Sequence, residues 1–288
     1  MNVIIFGAGG QDGYYLSALL KQQNYEVIGV SRQGDFLKND ISDYNLVAEL
    51  VNQYKPEFVF HLAANSTTTH AAMFENHATI ATGTLNILEA VKNSSPSTKV
   101  FIAGSGLQFK NDGKPIKETD PFEARDAYSV SRIQSVYAAR YFRSIGIKAY
   151  VGYFFNHDSP MRTEGHMTKK ISEAAKRIGA GSNEKISIGD IEAVKEYTHA
   201  GDIVKGIWTL VNQDETFEAN ISSGKGYSIK DWLEQCFSIV NKNWQDYVTI
   251  NSKFIPTYKQ LVSDPSRIFS LGWKPEVSFE ELVQLMMK

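Results

Sequence analysis

Apolar and polar positions in the first two thirds of the chain alternate between two patterns. Short apolar runs at residues 3–6, 27–30, 58–62, 99–103 and 149–153 read as strands buried on both faces. Between them, residues 14–23, 44–54, 80–91 and 127–145 carry apolar side chains at helical spacing. Leu46, Val47, Leu50 and Val51 share one face of the second of these helices, and Leu85, Leu88 and Val91 fall in line on the third. Such strand–helix alternation predicts an α/β fold: a doubly wound parallel sheet covered by helices.

After Asn156 the pattern becomes mixed. Helices are expected over 167–178, 201–211 and 228–240, the last with Ser228 as N-cap. Strands are expected at 186–188 and 218–221. Asp264-Pro265 starts a short helix that stops at Leu271-Gly272, and a final helix begins near Ser278. The chain therefore divides into a dinucleotide-type domain, residues 1–155, and a mainly substrate-binding lobe, residues 156–288, with crossing between the two allowed. The lobe is expected to pack over the carboxyl ends of the strands, where sheets of this kind bind ligands.

Composition removes several function classes. With 30 basic against 32 acidic residues, no global basic field favours nucleic acid or anionic lipid. The single cysteine, Cys236, excludes an internal disulfide framework and suits a reducing cytosol. No apolar run approaches the roughly 18 residues of a membrane span. No basic region precedes the first apolar run, so a signal peptide is not expected. The expectation is a soluble cytoplasmic protein with neither nucleic acid nor membrane as partner. The six histidines show no metal-ligand spacing, so no metal is expected.

Chemistry enters at the first turn. Gly7, Gly10 and Gly13 have the GxxGxxG spacing between a buried strand and an amphipathic helix, with Gln11 and Asp12 in the same loop. Gly7 permits the turn, Gly10 lets the backbone approach a diphosphate, and Gly13 lets the helix pack on the strand. Dinucleotide binding follows. The second strand ends Val30-Ser31-Arg32, with no acid to hold a ribose 2′-hydroxyl; Arg32 suits a 2′-phosphate, so NADP(H) is favoured over NAD(H). Asp40-Ile41 is expected near the adenine. Leu62, Ala63 and Ala64, closing the third strand, are assigned to the cofactor side, and Ser66, in the hydroxyl-rich segment 65–70, to the sugar side.

Ser105 follows the fourth strand, and Tyr128-Ser129-Val130-Ser131-Arg132 begins a helix. This resembles the Ser/Thr…Tyr-x-x-x-Lys arrangement of the short-chain dehydrogenase/reductase superfamily, extended type. Positions 128 and 132 share a helical face. A cation there favours the phenolate, so the phenol can exchange a proton with a carbinol or carbonyl oxygen near neutral pH, while the serine hydroxyl bonds the same oxygen. Arg132 departs from the superfamily's Lys; it keeps the charge in a bulkier, forked shape. The resemblance places Tyr128 and Arg132 against the cofactor as well.

Longer strings narrow the resemblance. Phe155-Asn156-His157-Asp158-Ser159-Pro160-Met161-Arg162 is similar to the Phe-Asn-His-Glu-Ser-Pro-Arg-Arg signature of GDP-mannose 4,6-dehydratases. Lys195-Glu196-Tyr197-Thr198-His199-Ala200, followed by Asp202, resembles that family's Arg-Asp-Trp-Gly-His-Ala…Asp segment, and Gln11-Asp12-Gly13 and 264–283 match its cofactor loop and C-terminal end. The resemblance implies a nucleotide-diphosphate-sugar substrate and an oligomer, here a homodimer through the helices at 80–92 and 127–145. It implies that His157 and Arg162 face the cofactor, that Asn156 contacts substrate, and that Lys170 and Lys195 meet the sugar diphosphate.

Two departures shift the expected reaction. The dehydratase base, two residues after the Ser/Thr, is replaced by Leu107, which takes no proton, and its neighbour is Gly106. The family's Arg-Pro-Thr-Glu segment becomes Ile255-Pro256-Thr257-Tyr258, leaving Tyr258 to stack on a base. The leading expectation is an NADP-dependent reductase of a nucleotide-linked 4-keto sugar, with Tyr128 as acid, Ser105 as carbonyl donor and Arg132 as electrostatic partner. A 4,6-dehydratase using another base, an epimerase and a non-catalytic cofactor-binding partner stand as alternatives.

Overall fold

The computed structural model describes residues 1–288 apart from Ser252 and residues 255–257. Five strands follow the sequence pattern: β1 (Asn2–Phe6), β2 (Glu26–Val30), β3 (Phe58–His61), β4 (Lys99–Ser105) and β5 (Ala149–Phe154). They lie in one parallel sheet in the order β5-β4-β3-β1-β2. The strand order reverses between β1 and β3, which opens a crevice above their carboxyl ends. Alternate side chains feed two cores. Ile4, Phe6, Val59 and Ile102 pack under helices Tyr44–Tyr54, Gly83–Ser94 and Ala127–Ser144. Val3, Ile5, Phe60 and Phe101 pack under Gln11–Gln22 and Ala200–Val211.

Three features depart from the sequence reading. The strand Glu218–Ile221, expected in the C-terminal lobe, pairs in parallel with β5 and completes a six-stranded sheet. The chain thus crosses back into the first unit; apolar periodicity identifies a strand without naming its neighbour. β4 runs on to Ser105, because Gly104 and Ser105 still pair with Tyr153 and Phe154, and this delivers the Ser105 side chain to the crevice. The helix expected from residue 80 starts at Met73–Asn76 and passes through a π-helical turn, His77–Thr82, before Gly83–Ser94. Within that turn the carbonyl of Ile80 accepts the Thr84 hydroxyl at 2.7 Å and faces His61 Nε2 at 3.4 Å. Leu85 faces outward at 49% exposure rather than joining the core.

The remaining residues build a smaller lobe. Helices Met167–Gly179, Ile229–Ile239 and Phe279–Met287 surround Trp232, with Ile171 and Leu282 also fully buried. Ser228 and Ser278 cap the latter two helices, each with a reciprocal box. A short ladder, His157–Asp158 beside Thr198–His199, joins the exit of β5 to this lobe. Among the described residues no helix is long and apolar enough to cross a membrane.

The sheet edge carries one ion cluster. Glu218 accepts from Arg140 at 2.7 and 2.9 Å, from Arg143 at 2.5 Å and from the Tyr153 hydroxyl at 2.8 Å. Burial alone would raise its carboxyl, but these donors hold it at about 2. A lowered carboxyl stabilises the fold above its unfolded value near 4.5 and loses that stabilisation as pH falls towards about 2. Glu218→Gln is therefore expected to cost on the order of 3 kcal/mol at pH 7, with the difference shrinking below pH 4.5 in urea denaturation.

Candidate active site

A cleft of about 510 Å³ opens above the carboxyl ends of β1 and β3, and the glycine turn forms one wall. Gly7 has φ +94°, and a Cβ there would lie 2.6 Å from the Ala63 nitrogen. A Cβ on Gly13 would lie 2.4 Å from the Gly7 carbonyl, so the helix can start against the turn only with glycine at that position. Gly10 is the N-cap, and no side chain bonds the N–H groups of the first helical turn. Backbone of this shape fits a diphosphate, which needs close approach and free N–H donors. Leu62, Ala64 and Ser66 also line the cleft, whereas Ala63 lies behind Gly7 and packs on the turn through its backbone.

The opposite wall carries the reactive groups. Ser105 ends β4 and caps the short turn Gly106–Gln108: its oxygen accepts the Leu107 N–H at 3.2 Å, and its own N–H donates to Gln108 Oε1 at 2.9 Å. Gly106 is required by Phe155, whose ring would lie 2.8 Å from any Cβ at that position. Tyr128 sits in the first turn of Ala127–Ser144, which Asp126 caps by accepting the Ser129 N–H at 2.8 Å. One turn on, Arg132 is 3% exposed and donates from Nη1 to the Ala103 carbonyl of β4. Its guanidinium carbon lies 5.0 Å from the centre of the Tyr128 ring. The cation is thus fixed beneath the phenol by the strand that positions Ser105. His61, fully buried at the end of β3, is lowered to about 3 by burial and by the Arg132 charge, and stays neutral.

A buried ion pair ties the glycine turn to the exit of β5. His157 Nδ1 donates to the Phe155 carbonyl at 2.9 Å, and its Nε2 lies 2.9 and 3.1 Å from the two Asp12 oxygens. The Ser159 hydroxyl donates to Gln11 Oε1 at 2.8 Å. Two consecutive turn residues are thereby clamped to the segment that carries Asn156 and Arg162 into the cleft. Arg162 pairs with buried Asp158 at 3.1 Å, and Thr168 donates to the same carboxylate at 3.0 Å. His166, at the rim, is lowered to about 4 by burial and by the charges of Arg162 and His157.

Not every expected residue reaches this cleft. Lys195 lines a smaller adjoining cavity of about 120 Å³ with Asn156, Arg162 and Tyr197, and its ammonium lies 5.5 Å from the Tyr258 ring centre. Lys170 does not line either cavity; its ammonium donates to the Ser187 carbonyl at 3.1 Å along the lobe. Ile41 is core, 7% exposed and packed against the Gly83 turn, and Asp40 accepts from the Ser42 backbone and hydroxyl. The Ile41 side chain is thus engaged in packing, and the adenine expectation for the pair rests on its backbone and on Asp40. Arg32 is exposed and paired with Glu75 at 3.0 Å. Ile255, Pro256 and Thr257 lie outside the described residues; Tyr258 lines the cleft.

Sequence reasoning passed over His61, Glu75, His166 and Glu196. Glu196 is fully buried and accepts the N–H groups of Ser223, Gly224 and Ser263, so it stitches three lobe segments together. Its signal was its place between Lys195 and Tyr197. The others carry no local pattern. Among the described residues, Asp12 is the one carboxylate that lines the main cleft, and apolar Leu107 lines it too. No cluster of three or more His, Cys, Asp or Glu among the described residues could hold a metal ion.

Comparison with known proteins fits this geometry. A family model described as GDP-mannose 4,6 dehydratase matches residues 4–286. GDP-mannose 4,6 dehydratase 1 of Arabidopsis thaliana is 31% identical over 317 aligned positions, covering 99% of this chain and 88% of that protein. Two solved structures share the fold. UDP-glucose 4-epimerase of Thermus thermophilus, in complex with NAD, superposes with a TM-score of 0.84 at 21% identity, over 100% of this chain and 98% of that one. RMD from Pseudomonas aeruginosa, complexed with NADPH, gives 0.88 at 19% identity, over 99% and 97%.

Proposed function

The chain belongs to the GDP-mannose 4,6 dehydratase family, and we propose that it is a nicotinamide-dependent oxidoreductase of a nucleotide-diphosphate hexose. The observation that carries this reading is the convergence of Ser105, Tyr128 and buried Arg132 on the wall of a cleft whose other wall is a diphosphate-shaped glycine turn. The turn residues 7–13, with Arg32 beyond β2, would hold the dinucleotide. A nicotinamide, when bound, would supply or accept the hydride at a sugar carbon. The chain's own part is the proton: Tyr128 donates it to the sugar oxygen in reduction and takes it back in oxidation, while the Ser105 hydroxyl bonds that oxygen. Arg132 holds a fixed positive charge beneath the ring, 5.0 Å from its centre, beside the oxygen that exchanges the proton. Asn156 and Tyr258 in the cleft, with Lys195 in the adjoining cavity, would meet the sugar diphosphate and base. Two copies of the chain would meet through helices Gly83–Ser94 and Ala127–Ser144, whose Leu85, Tyr137 and Tyr141 are 49, 58 and 61% exposed.

The relatives' names support a 4,6-dehydratase as the complete reaction, ahead of a free-standing 4-ketoreductase. One observation favours the reductase. Elimination of water needs a base at the sugar's C5, Leu107 is apolar, and Asp12 is engaged by His157. The purified protein is to be tested in two reactions. One is GDP-mannose with NADP, followed by formation of a 4-keto-6-deoxy product. The other is that 4-keto sugar with NADPH, followed by loss of NADPH absorbance. Product in the first reaction supports the dehydratase, with a base other than residue 107. Turnover in the second alone, with the first appearing only in Leu107→Glu, supports the reductase. Silence in both would remove a GDP-linked hexose as the substrate.

A further inference from the structure

We propose that Glu75, rather than any residue of β2, sets the choice between NAD(H) and NADP(H), and that it gives this protein access to both. The proposal rests on the cofactor reading above. The end of β2 offers no acid to receive a ribose 2′-hydroxyl, and on sequence alone this points to NADP(H). The fold supplies the missing acid from elsewhere. Glu75, in the short helix Met73–Asn76 after β3, reaches the second residue beyond β2: its Oε1 accepts from Arg32 Nη2 at 3.0 Å. Its Oε2 accepts from Asn65 Nδ2 at 2.8 Å. The carboxylate is therefore held at the corner that Arg32 marks, 43 residues away in sequence. The neighbouring charges are engaged differently. Lys38 donates to the carbonyls of Arg32 and Gly34, and Asp40 accepts from Ser42.

The two cofactors ask different things of this pair. A 2′-hydroxyl can donate to Glu75 while Arg32 stays where it is. A 2′-phosphate recruits the Arg32 guanidinium, in the manner usual for phosphate, and so must take it from Glu75. The released carboxylate then stands beside a dianion. Arg32 is 68% and Glu75 40% exposed, and exposed pairs of this kind are weak, so the exchange is feasible but opposed. Glu75 thus supports the first cofactor and works against the second, while Arg32 does the reverse.

Equilibrium titration of the purified protein with NADH and with NADPH, read by quenching of its tryptophan fluorescence, tests this without turnover. The wild-type protein is expected to bind both, with Kd values within about tenfold of each other, since two weak and opposed surface terms decide between them. Glu75→Gln should shift the ratio towards NADPH by about fivefold, and Arg32→Ala should shift it towards NADH. A Glu75→Gln ratio equal to that of the wild type, with an unchanged melting temperature, would overturn the proposal and leave Arg32 as the sole discriminator. Binding of NADPH alone by the wild type would also overturn it. Binding of neither would remove the cofactor reading itself, a result distinct from an unchanged ratio.

Discussion

Tyr128→Phe is expected to lower kcat by about 10²–10⁴-fold while leaving the Kd for NADPH within about twofold of the wild type. The substitution removes one hydroxyl and keeps the ring. The Phe ring still lies over the Arg132 guanidinium, 5.0 Å away, and Arg132 keeps its bond to the Ala103 carbonyl, so the wall of the cleft is preserved. Only the proton donor is lost. Asp12, His61 and His166 are poor substitutes: Asp12 is bound to His157, His61 is buried and neutral, and His166 is held near 4. Single-turnover absorbance and fluorescence titration on the same preparation separate the two quantities. A rate within tenfold of the wild type would show that Tyr128 is not the acid. A parallel loss of cofactor affinity would mean that the hydroxyl serves binding instead. Arg132→Ala should be worse than Tyr128→Phe in both measures, because it also empties a buried position between β4 and the helix.

What could be read from the sequence followed the range of the forces concerned. The strands of the main sheet and the helices between them are local, written in runs of apolar residues such as Val3-Ile4-Ile5-Phe6 and in faces such as Val47, Leu50 and Val51. The glycine turn was legible because its conformation excludes a Cβ at Gly7 and Gly13. Ser105, Tyr128 and Arg132 were legible as a spaced pattern, and the fold brings all three to the cleft. Failures arose where the partner is distant in sequence. Glu218–Ile221 has the pattern of a strand in either unit, and only its pairing with β5 places it. The packing of Ile41 against Gly83, which belongs to a helix beyond β3, is likewise a contact that no local pattern encodes. The pairs Arg32–Glu75 and Asp12–His157 span 43 and 145 residues, and no local periodicity encodes them. The π-helical turn escaped for a related reason: it is stabilised by Thr84 and His61 converging on one carbonyl, and His61 belongs to another element.

Loss of the His157 ring should be the costliest change at the glycine turn. The Phe155 carbonyl can only accept, so Nδ1 carries a proton; a second proton, on Nε2, faces two carboxylate oxygens. When Nε2 is protonated the ring is an imidazolium with Asp12 as its counterion. Burial works against both charges, yet the mutual attraction prevails: His157 is raised above its usual 6.5, and Asp12 is lowered below its usual 3.8. Arg162 nearby favours the Asp12 charge and opposes that of His157, and Gln11 adds a hydrogen bond to Asp12. The sign follows. The His157 contribution is complete below pH 6.5 and fades as pH rises through its folded value; the Asp12 contribution is complete above pH 3.8 and fades on acidification. The stability difference between wild type and Asp12→Asn should accordingly be widest between about pH 4 and 6.5 and narrow on either side. His157→Ala, which strands the Asp12 carboxylate in a largely desolvated site, should cost about 3 kcal/mol at pH 6. Cofactor affinity should follow the same titration. Above the folded value of His157 the Asp12 charge stands uncompensated beside a turn built for a diphosphate, so NADPH binding by the wild type should weaken as pH rises while that of Asp12→Asn stays level. Melting curves and NADPH titrations from pH 4 to 9 test both parts, and a wild-type affinity as flat as that of Asp12→Asn would show that the pair is a tether for the turn and not a charge switch.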